Sequence, residues 1–178
     1  RIAAVPNATI AFTCAGFTPV GTSAALGTTA VSLSTDAKGN AYMYGSWTAS
    51  TMAASITVDG TPYSLASKSV TTVPDANTSY ALNAMPTTYN QVGAGTSASP
   101  YRIYNATQLQ NINSATVTTN FGYNVICYGQ YINLENNVDC SAISSFTPIG
   151  NDSRKFAGIF EGNGHTISYL TEVSQVNI

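Results

Sequence analysis

SPYRIYNATQLQNINSATVTTNFGYNVICYGQYINLENNVDCSAISSFTPIGNDSRKFAGIFEGNGHTISYL, residues 99–170, is the stretch that decides the fold. It opens on a helix signal. Asn105 suits an N-cap, because its side-chain oxygen can accept from backbone N–H groups of the first turn. Gln108 stands three residues on, as a capping box requires, and Tyr104 and Leu109 occupy the staple positions. Leu109 and Ile112 share one face. This is either a generic surface helix or a cap over the first rung of a stack. Apolar residues then come in short groups: Tyr123, Val125, Cys127; Tyr131, Ile132, Leu134; Val138, Cys140, Ile143; Phe146, Ile149; Phe156, Ile159, Phe160; Ile167, Tyr169, Leu170. Groups this short are too brief for helices and predict strands with tight turns. Asn163-Gly164 can take the positive backbone angles of a sharp corner. The pattern alone also fits an ordinary antiparallel sandwich.

PYRIYNATQLQNI, the strand pair around INLENNVDCS, then FTPIG and FAGIFEGNGHTISYL together resemble the opening of a GLUG-type parallel β-helix repeat. Such repeats occur in large surface and adhesin-like proteins of bacteria and archaea. The resemblance spans roughly residues 97–172, and its most specific parts are residues 146–150 and 160–167. It implies a right-handed parallel β-helix whose leading segment caps the first coil. It also places the segment that names the motif just beyond residue 172, so either a longer stack or a very short one is expected.

Working outward, residues 93–100 are small and polar and read as a flexible linker between two domains. Residues 101–178 are expected as the β-helix segment and residues 1–92 as an immunoglobulin-like β-sandwich with an N-terminal arm. The chain is thus predicted to be all-β. In the first part, residues 9–17 read as a strand. Residues 31–35 and 41–47 read as a hairpin about the turn 36–40, and residues 55–58 and 62–65 as a second hairpin about Asp59-Gly60. Residues 69–73 and 79–82 read as further strands. Alternation puts Met43 and Trp47 on one face and Tyr42 and Tyr44 on the other. Tyr42, Tyr44 and Trp47 are either cross-strand packing or a platform for stacking a sugar.

Charged residues are only 8% of the chain, against about 25% in typical soluble domains. The net charge of −2 offers little repulsion between copies. Six Lys and Arg with no basic run exclude a nucleic-acid binder, and no apolar run is long enough for a membrane-spanning helix. The sequons at Asn7, Asn77, Asn105 and Asn151 are glycosylation candidates on an exported protein, although Asn105 has a competing role as helix cap. The three cysteines match no zinc spacing. Cys127 and Cys140 lie on neighbouring segments and either bridge or remain small buried thiols; Cys14 is then left over.

No catalytic constellation emerges. Sugar hydrolysis needs two carboxylates at a controlled distance, and Glu135 with Asp139 is the nearest approach to a pair. The resemblance implies that this segment packs a corner and carries no catalysis. Calcium ligation by Glu135, Asn136, Asn137 and Asp139 has the oxygen donors but lacks the glycines of calcium-binding repeats. His165 falls in a corner, better suited to a backbone hydrogen bond than to acting as a base. Neither a metal nor a cofactor is expected. The expected function is a non-enzymatic extracellular or cell-surface structural protein. Its copies join into a fibre, sheath or array by strand pairing and β-helix stacking, with strands expected at residues 166–170 and 173–176 and the arm of residues 1–17 available for exchange. The alternatives are a piece of a longer adhesin, built of further repeats and binding glycans or a host surface, and a carbohydrate-active β-helix enzyme.

Overall fold

The computed structural model describes residues 1–72 and 77–171, which form an all-β chain in two compact units, Arg1–Met85 and Pro86–Ile178. The second unit starts before the glycine-rich stretch expected as a linker. Residues 93–100 are instead fastened within it: Ala94 N–H donates to Ser99 O, and Tyr131 N–H to Gly95 O. A Cβ on Gly93, whose φ is positive, would meet the carbonyl oxygen of Pro100.

The first unit contains β1 (Ile2–Ala3), β2 (Thr9–Cys14), β3 (Phe17–Pro19), β4 (Val31–Ser34), β5 (Asn40–Ala41), β6 (Gly45–Trp47), β7 (Ser50–Val58), β8 (Thr61–Val70) and β9 (Leu82–Asn83). They form three open sheets, ordered β4-β2-β7-β8, β5-β1-β9 and β3-β6. Period-two alternation decides which side chains enter the core. Ile10, Phe12 and Cys14 of β2 point inward, as do Met52, Ala54 and Ile56 of β7, with Phe12 opposite Ala54 and Cys14 opposite Met52.

The Asp59-Gly60 turn forms as expected. Both residues have positive φ, as a two-residue type I′ connection demands, and the hairpin extends over the whole of β7 and β8. The other expected hairpin does not form. Residues 36–40 do turn, with Asp36 Oδ1 accepting from Lys38 and Asn40 N–H. The chain then crosses to another sheet: β4 pairs with β2, β5 with β1, and β6 with β3. Buried Thr35 makes the crossing, donating to Val5 O and accepting from Ala8 N–H. Residues 1–17 are likewise not a detachable arm. β1 lies between β5 and β9, β2 lies between β4 and β7, and Ile2, Val5, Ile10 and Phe12 are core residues.

The exposed Asp36 carboxylate is held below the usual carboxylate range, chiefly by the hydrogen bond from Asn40 N–H and further by that from Lys38 N–H. A depressed folded-state pKa means that the unfolded chain binds more protons on acidification. This stabilising contribution is complete above the ordinary Asp pKa near 3.8 and lost as the pH falls through the lower folded value. Asp36→Ala is expected to flatten the acid limb of a Tm-against-pH curve. An unchanged limb would show that the turn does not hold the carboxylate.

The second unit is a stack. β10 (Tyr101–Ile103) leads into α1 (Ala106–Asn111) and a 3-10 turn over Ile112–Ser114. An antiparallel hairpin follows, β11 (Val117–Asn120) with β12 (Tyr123–Ile126). Then come β13 (Tyr131–Leu134) and β14 (Val138–Asp139), and a further circuit of β15 (Lys155–Phe156), β16 (Ile159–Glu161) and β17 (Ile167–Ser168). Each strand of that circuit lies parallel beside one from the circuit before: β12 with β15, β13 with β16, β14 with β17. β10 adds a parallel partner to the free side of β13. Registered partners stack like on like, Ile126 with Phe156, Ile132 with Phe160 and Val138 with Ile167.

The expected cap of α1 is present with one change. Asn105 Oδ1 accepts from Gln108 N–H at 2.9 Å. The Gln108 side chain does not return to the N–H of the capping residue. It accepts from Tyr104 N–H at 2.8 Å and donates to the carbonyls of Thr88 and Arg102. Gln108 is completely buried, and its one side chain satisfies three backbone groups, a buried one at Tyr104 and two part-buried carbonyls. Leu109 and Ile112 face the same interior as Ile103, Ile126, Ile132, Leu134 and Val138.

Candidate functional sites

Two concave surfaces stand out, one on each unit. The first is the outer end of the stack. Its inner circuit is sealed, with Ile126, Ile132, Leu134 and Val138 buried. Its outer circuit is not. Phe156 and Phe160 are half-buried, and Ile159, Ile167, Tyr169 and Leu170 are exposed, Ile159 at 41%. The open core forms an apolar groove of about 280 Å3 lined by residues including Leu109, Phe146, Ile149, Phe156, Phe160 and Leu170. β15, β16 and β17 are each outermost in their sheets, so each carries one row of backbone donors and acceptors with no strand beside it among the described residues. The strand expected over residues 173–176 lies outside the described residues.

The second surface is a cleft of about 910 Å3 on the first unit, lined among others by Tyr42, Tyr44, Trp47, Thr78, Ser79 and Tyr80. β5 ends at Ala41 and β6 begins at Gly45, yet the expected alternation persists between them: Tyr42 and Tyr44 are exposed, whereas Met43 and Trp47 are half-buried. All four side chains nonetheless border the same cleft. Its wall is rigid. Phe17 packs on Trp47 at 5.1 Å between ring centroids, and Trp47 meets Tyr80 edge-on at 5.9 Å. The Tyr80 hydroxyl is hydrogen-bonded to Thr71 Oγ1 at 2.6 Å. The indole N–H of Trp47 is buried without a partner among the described residues. Tyr44 O accepts from Val20 N–H, and a Cβ on Gly45 would strike Phe17 and the Thr18 carbonyl, so the strand following Tyr44 lies hard against β3.

The acidic candidates are occupied elsewhere. Glu135 pairs with Arg102 at 2.7 Å. Asp139 Oδ1 accepts from Ser141 N–H, and the hydrogen bonds from Ser141 hold its carboxyl below the usual range. Asn137 Oδ1 accepts from Thr166 N–H. His165 is exposed, with its backbone N–H donating to Gly162 O. No group of three His, Cys, Asp or Glu side chains gathers among the described residues.

Of the sequon asparagines, Asn7, Asn77 and Asn151 are exposed, Asn77 at the aromatic cleft. Asn105 differs: its side-chain nitrogen, the atom that a glycan would take, donates to Pro86 O at 2.9 Å. Cys14, Cys127 and Cys140 are buried free thiols. Burial pushes Cys127 up to about 11, only partly offset by its hydrogen bond with Tyr89. A thiol held protonated and covered reacts slowly. The folded chain is expected to resist thiol reagents, and the denatured chain to titrate all three cysteines. One reactive thiol after denaturation without reductant would reveal a disulfide instead.

The concave shapes of the stack-end groove and the aromatic cleft escape sequence reading for one reason. Each is a concavity made where distant segments stop covering a core. Only the exposed aromatic cluster at residues 42–47 signals its site in the sequence. No helix among the described residues is long and apolar enough to cross a membrane. No family model, curated protein or solved structure matches the chain.

Proposed function

We propose that the second unit is the capped opening of a GLUG-type right-handed parallel β-helix, that the first unit is an immunoglobulin-like sandwich, and that the chain is a non-enzymatic structural protein of the cell surface. Its copies join end to end through the last rung of the stack into a fibre, sheath or array. The observation carrying this reading is the outer circuit of β15, β16 and β17: among the described residues no strand lies beside its outer edges, and Phe156 and Phe160 of its interior are only half-buried. A further layer from another molecule supplies main-chain hydrogen bonds to those edges and buries Phe156, Phe160 and Ile167. Contacts of this kind that do not close by symmetry propagate into filaments. The low charge of the chain leaves little repulsion against such packing. Exchange of residues 1–17 is not part of the proposal, since those strands are central in their own sheets.

Sedimentation velocity and negative-stain microscopy over a concentration series test it. Linear assemblies longer than a dimer are expected, and Ile159→Lys with Ile167→Lys is expected to keep the chain dispersed with unchanged circular dichroism. A wild-type chain that stays monomeric or stops at a closed dimer at every concentration sinks the proposal.

A further inference from the structure

We infer that the aromatic cleft of the first unit is a saccharide-binding site, with the rings of Tyr42 and Tyr44 as the stacking platform. This does not rest on assembly through the stack, because the cleft belongs wholly to the other unit.

Exposure points to a ligand. Tyr42 is 55% and Tyr44 75% exposed, while Trp47 and Tyr80 behind them are locked into an aromatic wall. Large rings left in water within a concavity mark a binding surface, whereas scattered apolar residues do not. The volume of about 910 Å3 is in the range of small-molecule and oligosaccharide clefts. Lining chemistry then selects the class. A pyranose has an apolar C–H face and a rim of hydroxyls. Tyrosine rings match the first, and the tyrosine and Ser79 hydroxyls match the second. Tyrosine also presents this area with few rotamers to freeze. Among the described residues lining the cleft, Arg1 alone is charged. That lining does not match a highly charged polyanion, and its tyrosines and hydroxyls do not match a purely apolar ligand. The Phe17–Trp47–Tyr80 wall and the Tyr44 O to Val20 N–H bond hold the platform in place before a ligand arrives, which lowers the ordering cost of binding.

Trp47 is the only tryptophan in the chain, so its fluorescence reports on this cleft directly. The test uses the full chain carrying Ile159→Lys and Ile167→Lys, to separate binding from assembly. Gel retardation by hydroxyethylcellulose, xylan, galactomannan and soluble chitin fragments is measured first. Arrayed oligosaccharides ending in glucose, galactose, mannose or N-acetylglucosamine follow. The expected result is retention by at least one of these saccharides, with a change in Trp47 emission on titration. Tyr42→Ala and Tyr44→Ala should each weaken binding about five- to tenfold at unchanged Tm, while Tyr128→Ala on the second unit leaves it intact. Two results overturn the inference: no retention by any saccharide, or retention that survives the Tyr42→Ala/Tyr44→Ala double variant.

Discussion

Gln108→Leu is expected to lower the stability of the second unit by about 3–4 kcal/mol. Leucine fills much of the same volume, so the loss is not mainly a cavity effect. It comes from the backbone. Tyr104 N–H loses the side-chain acceptor that holds it at 2.8 Å, and the carbonyls of Thr88 and Arg102 lose their shared donor. The Tyr104 N–H bond is buried, and a buried polar group left unpaired costs about 1–3 kcal/mol; the two carbonyl bonds are part-buried and add less, Thr88 O keeping the N–H of Gln91. Gln108→Glu is expected to be worse than leucine near neutral pH, since it removes the donor and places a charge in the core. Urea unfolding followed by hydrogen exchange over residues 101–134 measures the effect. A midpoint unchanged by Gln108→Leu would show that these bonds contribute nothing net.

The second large effect compares two residues stacked one on the other. Ile132 and Phe160 are registered partners on β13 and β16. Ile132 has no exposed surface, whereas Phe160 is half-buried at the mouth of the groove. Ile132→Ala is therefore expected to cost about 3–4 kcal/mol at any protein concentration, the usual penalty for a cavity in a sealed core. Phe160→Ala should cost only about 1–2 kcal/mol in the dispersed chain, because part of that ring already faces water. If copies cover the last rung, the cost of Phe160→Ala should grow with protein concentration, while that of Ile132→Ala stays constant. Two Phe160 values that agree at low and high concentration would indicate that nothing seats on the open end.

Local chemistry was readable from the residues alone. The cap at Asn105 and the turn at Asp59-Gly60 each involve neighbours in sequence, so side-chain type and backbone freedom suffice to predict them. Pairing was not readable in the same way. The turn at residues 36–40 was correctly sited, yet the strands flanking it join different sheets. Strands choose partners by which apolar faces meet, and Ile10 opposite Leu33 and Phe12 opposite Val31 decide in favour of β2 with β4. The aromatic cluster at residues 42–47 was recognisable as either packing or platform. Only the fold shows that Tyr42, Tyr44 and Trp47 border a cleft shared with Thr78, Ser79 and Tyr80.

By itself the sequence determined that this chain is built of short strands, where several of its turns and its one helix cap fall, and which aromatic residues are worth watching. Those features are set by interactions within a few residues, where propensity and capping dominate. Tertiary contacts establish that Gln108 is a buried hub, that Glu135 is tied to Arg102, and that, among the described residues, Ile132 is sealed in the core while Phe160 is only half-buried. These depend on which distant segments cover one another, and burial depends on neighbours that no local pattern names.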